Sequence, residues 1–307
     1  MTLVLLNPHA QGGRAARQAP DLAAWLSAHA PGVTLAAPDS LADSLALLRD
    51  LPAGSRVVAV GGDGTLNRWL PAVLAQQLQL GLVPMGSGND SARGLGLYGL
   101  HWTEALAHAL NAPPQSVDTG LATWTDLQGR VHHTPFLSSL TAGFDSAVGL
   151  RALNGPRWLR GMPRYLWATL NELIHLRDWS LEVRSDGQLV HQGPALFASS
   201  LNTATFGSGI PAVPQARMDD GQLNVLWSEP FSRLGALTML PRLLMGWHLS
   251  HPRIATRAFE TLTIHCARGV PLAADGEYLG VAGQVTVRNC PASLQIVSRH
   301  LAQKFQG

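Results

Sequence analysis

The chain has 307 residues, 46% hydrophobic and 14% charged. That is long enough for two domains with separate cores and too apolar for a disordered chain. Its net charge of +2 argues against a nucleic-acid partner. Lys304 is the sole lysine, which excludes a Walker A loop, so phosphate binding has to rest on backbone N–H groups, arginines and metal. Cys266 and Cys290 read as small buried residues of a reducing compartment rather than a disulfide or zinc pair. The chain shows no signal-peptide pattern and no run of about 18 uncharged apolar residues. The expected protein is cytoplasmic and has no transmembrane segment.

In chain order, Thr2 to Leu6 predicts a strand, followed by the loop Asn7-Pro8-His9-Ala10-Gln11-Gly12-Gly13-Arg14. Leu22, Trp25 and Leu26 mark a helix with Pro20 in its first turn. Val33 to Ala36 is a second short strand, and Asp39 or Ser40 caps a helix carrying Leu41, Leu45 and Leu48. Val57 to Val60 is a buried strand that empties into Gly61-Gly62-Asp63-Gly64-Thr65-Leu66-Asn67. Helical spacing then resumes at Leu66, Trp69, Leu70, Val73 and Leu74.

Glycines there let a ligand approach main-chain N–H groups. A carboxylate among such groups suits a divalent cation lying between it and a polyphosphate; a capping Asp in an ordinary turn is the alternative. Leu80 to Pro84 opens into Gly86-Ser87-Gly88-Asn89-Asp90-Ser91-Ala92-Arg93. Gly94 to Gly99 spells G-x-G-x-x-G but follows no strand, so it does not read as a dinucleotide site. The loops at 7–14, 61–67 and 86–93 thus each follow an apolar strand and precede a helix. Such alternation implies a parallel sheet with right-handed crossovers, and ligands bind beyond the carboxyl ends of its strands.

Glu104 to Leu110 is another helix, and near residue 115 the texture changes. Val117–Trp124, Val131–Ser139, Trp179–Val183, Ala195–Ser200, Leu223–Trp227, Leu262–Cys266, Gln284–Val287 and Leu294–Val297 read as strands. Gly, Pro, Asn and Asp separate them, the signature of an antiparallel sandwich. Two segments, Pro163–Arg177 and Phe231–Trp247, are basic amphipathic helices. The first carries Leu166, Leu170, Leu173 and Ile174, with Arg157, Trp158, Arg160, Arg164 and Trp167 on or before it. The second carries Leu234, Leu237, Leu240 and Leu244, with Arg233 and Arg242. Such helices either cap a sheet or lie in a bilayer interface.

The Gly61–Asn67 string resembles the GGDGT signature of the diacylglycerol kinase catalytic family, which also holds sphingosine kinases and bacterial lipid kinases; NAD kinases share a related turn. The Asn7–Arg14 loop resembles the family's first nucleotide loop, and Gly86–Arg93 its GT-x-NDFAR motif. Three departures are visible: Ser87 for threonine, Ser91 for phenylalanine, and Arg68 for the usual glutamate. Ser116–Gly120 resembles the x-D-x-G segment at the domain junction, and Gly143-Phe144-Asp145 the G-F-D segment, where Asp145 reads as a helix N-cap. Arg217–Leu223 resembles the DG-x-L entry, and Asp275-Gly276-Glu277 the D-G-E motif. Read without the family, both are Asp-Gly turns, and Asp118 is a turn residue.

The resemblance covers nearly the whole chain. It implies a Rossmann-like α/β nucleotide domain over 1–120, an antiparallel β-sandwich over 121–290, and a tail over 291–307 returning to the first domain. ATP would contact Asn7, Pro8, His9, Ala10, Gln11, Gly12, Gly61, Gly62, Asp63, Gly64, Thr65, Asn67, Gly86, Ser87, Gly88, Asn89 and Asp90; Ser40 could add a hydroxyl. Catalytic Mg2+ would be held through Asp63, Asp90 and Asp118. A second, structural Mg2+ would use Asp220 with the carbonyls of Arg217 and Gln222.

Glu277 would be the general base and Asp275 would orient it or the metal, with those roles exchangeable. The implied activity is ATP- and Mg-dependent phosphorylation of a lipid hydroxyl, as in diacylglycerol, at the inner face of a membrane. An NAD kinase-like enzyme and a nucleotide-binding regulatory module without turnover are the rivals, and homodimerisation stays open.

Overall fold

The computed structural model describes residues 1–299 except Ser87, Arg157 and Arg160. The expectations for those three side chains lie outside the described residues. The described residues divide into two compact units, one of residues 1–117 and 292–299, the other of residues 118–291; the part of the expected tail beyond residue 299 lies outside the described residues.

In the first unit, β1 (Thr2–Leu6) leads through a short turn, α1 (Ala10–Gly13), to α2 (Ala19–His29), β2 (Thr34–Ala36) and α3 (Leu41–Asp50). Then come β3 (Arg56–Gly61), α4 (Asp63–Ala75), β4 (Gln79–Pro84), α5 (Asp90–Gly94) and α6 (Trp102–Asn111). All of the pairings are parallel: β2 with β1, β1 with β3, and β3 with β4. Gln295 and Ile296 pair with Gln79 and Leu80, adding a parallel strand beyond β4.

The strands are continuous apolar runs because both faces are covered. Val4, Leu6, Val58, Val60 and Val83 pack with Leu22, Leu26 and Leu106 from the helices. With β1 flanked by β2 and β3, the strand order reverses direction between β1 and β3, the place where such sheets hold ligands. Pro20 sits in the first turn of α2. Ser40 caps α3, its hydroxyl accepting the Asp43 N–H at 3.0 Å and donating to the Asp43 carboxylate at 2.6 Å. Capping therefore occupies the hydroxyl considered for nucleotide contact.

The second unit takes up the chain within β5 (Gln115–Asp126) and continues with β6 (Val131–Phe136), β7 (Ser139–Ala142), α7 (Phe144–Leu153) and α8 (Met162–Ile174). There follow β8 (Trp179–Ser185), β9 (Gln188–Ala195), β10 (Phe197–Leu201), β11 (Thr205–Phe206), β12 (Ile210–Pro211) and β13 (Leu223–Ser228). The unit ends with α9 (Arg233–Leu244), β14 (Ile254–Phe259), β15 (Thr261–Ala274) and the long β16 (Glu277–Ile296).

The pairings in this unit are antiparallel, as in a β-sandwich. The first half of β15 pairs with β8 and its second half with β7, and the register breaks between His265 and Val270. That irregularity bends the hairpin, so one strand serves both layers. Phe136, Leu181, Val183, Phe259, Leu262, Ile264, Leu272 and Val285 form the core. Cys266 is buried and unpaired.

Two boundaries differ from the sequence reading. Val131–Ser139 is not one strand, because the N–H groups of Leu137, Ser138 and Ser139 turn to the Asp275 carboxylate. Gln284–Val287 and the stretch from Leu294 to Ile296 belong to a single strand, β16, which ends one residue before Val297.

Candidate active site

In the first unit the loops after β1, β3 and β4 are knitted together. Asn7 Nδ2 donates to Thr65 Oγ1 at 2.7 Å, and the Met85 N–H donates to the Gly61 carbonyl at 2.7 Å. The loop after β1 follows left-handed backbone through Gln11, Gly12 and Gly13. Within it, Asn7 Oδ1 accepts the His9 N–H, and His9 Nε2 lies 2.9 Å from the Asp39 carbonyl.

Gly62 and Gly86 meet backbone to backbone: a Cβ added to either would lie 2.6 Å from the other's Cα. No side chain fits that crossing, which is the physical reason for two glycines there. Asn89, in left-handed backbone, closes a ring with Gly86, accepting its N–H at 2.9 Å and donating to its carbonyl at 3.0 Å.

Asp63 joins the second and third loops. Its Oδ2 accepts the Asp90 N–H at 3.0 Å and its Oδ1 the Ser91 N–H at 3.1 Å. The carboxylate is half-exposed at the start of α4 and caps the short α5. The capping reading of this aspartate is met, and the carboxylate stays partly open to solvent. Asp90 and Ser91 are buried. Ser91 Oγ has no hydrogen-bond partner among the described residues. The Arg93 guanidinium stacks 3.4 Å above the Tyr98 ring, and Arg68 is exposed.

In the second unit, Asp275 and Gly276 are the two-residue turn between β15 and β16, with φ of 45° and 84°. Positive φ at both positions is the backbone of a type I′ hairpin, the structure an Asp-Gly pair favours. Asp275 is 6% exposed. Its carboxylate accepts three N–H groups, from Ser138 at 2.7 Å, Leu137 at 2.9 Å and Ser139 at 3.0 Å. Such enclosure fits a positioning group. Glu277, next on the strand, is half-buried.

Asp118 Oδ2 accepts the Gly221 N–H at 2.7 Å, and the Asp118 N–H donates to the Met218 carbonyl at 2.7 Å. Asp220 accepts the Gln222 N–H at 3.1 Å; burial, aided by the charges of Asp118 and Asp219, raises its carboxyl above the usual range. Arg217 pairs with Asp219.

Asn202 was not singled out in the sequence. It is fully buried and donates to the carbonyls of Asp118 and Leu137 at 2.8 Å, tying the junction strand to the segment that Asp275 holds. Its only signal is an amide just after a strand, Leu201-Asn202-Thr203, which many turns share.

The N-cap reading of Asp145 is corrected. Gly143 is the cap residue of α7, with φ of 107°. A Cβ there would meet the Leu196 carbonyl oxygen at 2.7 Å. Asp145 lies inside the first turn, buried, accepting the Ser199 hydroxyl at 3.0 Å. Burial pushes its carboxyl up to about 7, and the Ser199 bond opposes that shift.

Among the described residues no cluster of three or more His, Cys, Asp or Glu side chains could cage a metal ion. Of the three carboxylates named for a catalytic magnesium ion, Asp63 is half-exposed while Asp90 and Asp118 are buried, so the donor set fits at most an ion carried by substrate phosphates and waters that Asp63 alone could reach.

Comparison with known proteins places these features. Residues 1–122 match the model of the diacylglycerol kinase catalytic domain. Residues 138–298 match the YegS C-terminal NAD kinase beta sandwich-like domain. A protein named diacylglycerol kinase from Mycobacterium tuberculosis is 29% identical over 78% of this chain and 76% of its own. A probable lipid kinase YegS-like protein from Pseudomonas putida is 32% identical over 79% of this chain and 76% of its own.

A diacylglycerol kinase structure from Bacillus anthracis covers 98% of both chains with a TM-score of 0.75 at 17% identity, a likeness of fold. Yeast NADH kinase, at a TM-score of 0.53 and 11% identity over 100% of this chain and 89% of its own, shares the fold more loosely. The chain belongs to the kinase family that joins a diacylglycerol kinase catalytic domain to a YegS-type β-sandwich domain.

Proposed function

We propose that the protein is an ATP- and Mg-dependent lipid kinase that phosphorylates a hydroxyl of a lipid acceptor such as diacylglycerol. The observation that carries the nucleotide half is the Asp63 clasp, which binds two glycine loops at the carboxyl ends of neighbouring parallel strands. The lipid half is supported by the names of the M. tuberculosis and P. putida relatives.

In this reading the loop N–H groups cradle the phosphates, and Asp63 keeps the loops in register for them. The half-exposed Asp63 is the carboxylate that would reach a magnesium ion through water, and such an ion would supply charge neutralisation on the phosphoryl oxygens; Asp90 and Asp118, proposed from the sequence for the same ion, are buried. Glu277 takes the proton of the acceptor hydroxyl; the oxygen bonds to the γ-phosphorus while the bridging P–O bond breaks and ADP leaves. General-base help of this kind contributes roughly 10²–10⁴-fold. Asp275 fixes the turn that presents Glu277. Arg217, Asp220 and Gln222 form the proposed outer, structural cation site.

Incubation with labelled ATP and a total lipid extract tests the reading: label should enter a lipid product. NAD in place of lipid tests the NAD kinase-like alternative, which the shared glycine turn and the NADH kinase likeness keep in view. ATP binding with no transfer to either acceptor would favour a regulatory module.

A further inference from the structure

Helix α9 is apolar on two sides. Ala236 is buried and Met239 and Leu243 pack, three and four residues apart, against the cluster of Phe206, Ile210, Val213 and Leu226. That inner side accounts for the expected sheet-capping role. The opposite side carries Leu234, Leu237, Pro241 and Leu244, spaced by three and four, and runs on to Met245 and Trp247 just past the helix end. All are exposed, Leu234 by 70% and Trp247 by 61%. A helix apolar all round is ordinarily buried all round. Here one side has nothing over it among the described residues, and a continuous apolar strip of this kind marks an interaction surface.

The charge around the strip says what fits it. Between Glu229 and Glu260 the chain has no acidic residue, while Arg233, Arg242, Arg253 and Arg257 all fall there. Beside the helix lies a cavity of about 550 Å³ lined by Phe231, Thr238, Met239, Arg242, His251 and Arg253. The Arg253 guanidinium stands over the Phe231 ring and donates to the Pro230 carbonyl, which fixes a cation at the rim. Leucines and a tryptophan flanked by arginines, with no carboxylate in the segment, match the acyl boundary and headgroup layer of an anionic bilayer. A polar protein partner would leave the leucine strip unmatched, and a second copy of this face would set arginine against arginine.

We propose that α9 and the segment up to Arg253 form the docking surface for an anionic phospholipid membrane. Leu234, Leu237, Leu244 and Trp247 enter the interface, and the Arg242–Arg253 cavity receives a phosphate headgroup. The proposal names the membrane partner of the lipid kinase reading, but docking itself requires no turnover.

The test is co-sedimentation of the full chain with vesicles of phosphatidylcholine alone and with about one third phosphatidylglycerol, at low and high salt. Binding should require the anionic lipid and weaken with salt. L234E/L237E should reduce it at least tenfold, and R242A about fivefold, since one arginine near such a surface contributes roughly 1 kcal/mol. These side chains are exposed, so circular dichroism should be unchanged.

Phosphate transfer to a short-chain acceptor dispersed in detergent separates the two readings. Variants that keep that activity but lose vesicle binding support docking. Vesicle binding without any transfer leaves docking intact and removes the kinase reading. No vesicle binding by the native chain, equal binding by the variants, or a native dimer that the leucine substitutions dissociate would overturn the proposal.

Discussion

Two aspartates, one in each unit, make nearly the same bonds and differ in exposure. Asp63 takes two backbone N–H groups and Asp275 takes three. Asp63 is half-exposed at the mouth of the β3 and β4 loops, whereas Asp275 is sealed inside its unit. A carboxylate that solvent reaches keeps lone pairs for a ligand or its ion; a sealed one spends its acceptors on the fold. Similar bonds thus leave one carboxylate open to solvent and close the other off, and the proposed ligand role of Asp63 rests on that difference in exposure.

That contrast can be broken by mutation. Asp63→Ala should lower phosphate transfer by about 10³-fold or more while the protein stays folded, because it removes both the loop clasp and the carboxylate. Transfer assays paired with circular dichroism check it; a folded, fully active variant removes Asp63 from the site. Asp275→Ala should act mainly on stability, lowering it by about 3–5 kcal/mol through three orphaned N–H groups. Urea unfolding reads this, and an unchanged midpoint would show that water replaces the carboxylate without loss.

Asp145 offers a pH test of a third buried carboxylate. Its folded pKa of about 7 stands above the ordinary carboxylate value of 3.8, so the folded state holds a proton that the unfolded chain releases. Its contribution is fully present below about pH 4 and is lost as pH rises through about 7. Asp145→Asn should flatten that window and raise stability above pH 7, by about 4 kcal/mol at most. Melting curves at pH 4 and pH 8 measure it, and parallel shifts at both would contradict a neutral Asp145. Gly62→Ala should cost about 1–3 kcal/mol by driving a methyl into the Gly86 backbone, with weaker ATP binding by calorimetry. Ser40→Ala should cost only about 1 kcal/mol, a lost cap with no change in ATP affinity.

Much of the fold was legible because its strands are extreme. Val57–Val60 and Leu80–Pro84 are apolar throughout, and glycines punctuate both, so the parallel sheet and its loops follow from pattern and turn chemistry. The loop crossing at Gly62 and Gly86 was not legible, since nothing local says which two glycines touch. Nor was the split between β6 and β7 at Leu137 and Ser138. Its cause is a carboxylate more than 130 residues away, and a propensity window sees only neighbours. Asp145 was misread for a similar reason: an aspartate after glycine looks like a cap, but Gly143 already fills that position. The β15–β16 hairpin hid its length behind the Arg268-Gly269 interruption, where the strand bends.

Phosphate transfer to lipid can be measured against its rival in one competition. The protein is given γ-labelled ATP, magnesium, a total lipid extract and NAD in a single reaction, and the organic and aqueous products are separated. Label should enter a phospholipid-like product and be absent with Asp63→Ala. Label in NADP, or none in lipid from a folded protein that binds ATP, would contradict the lipid kinase reading.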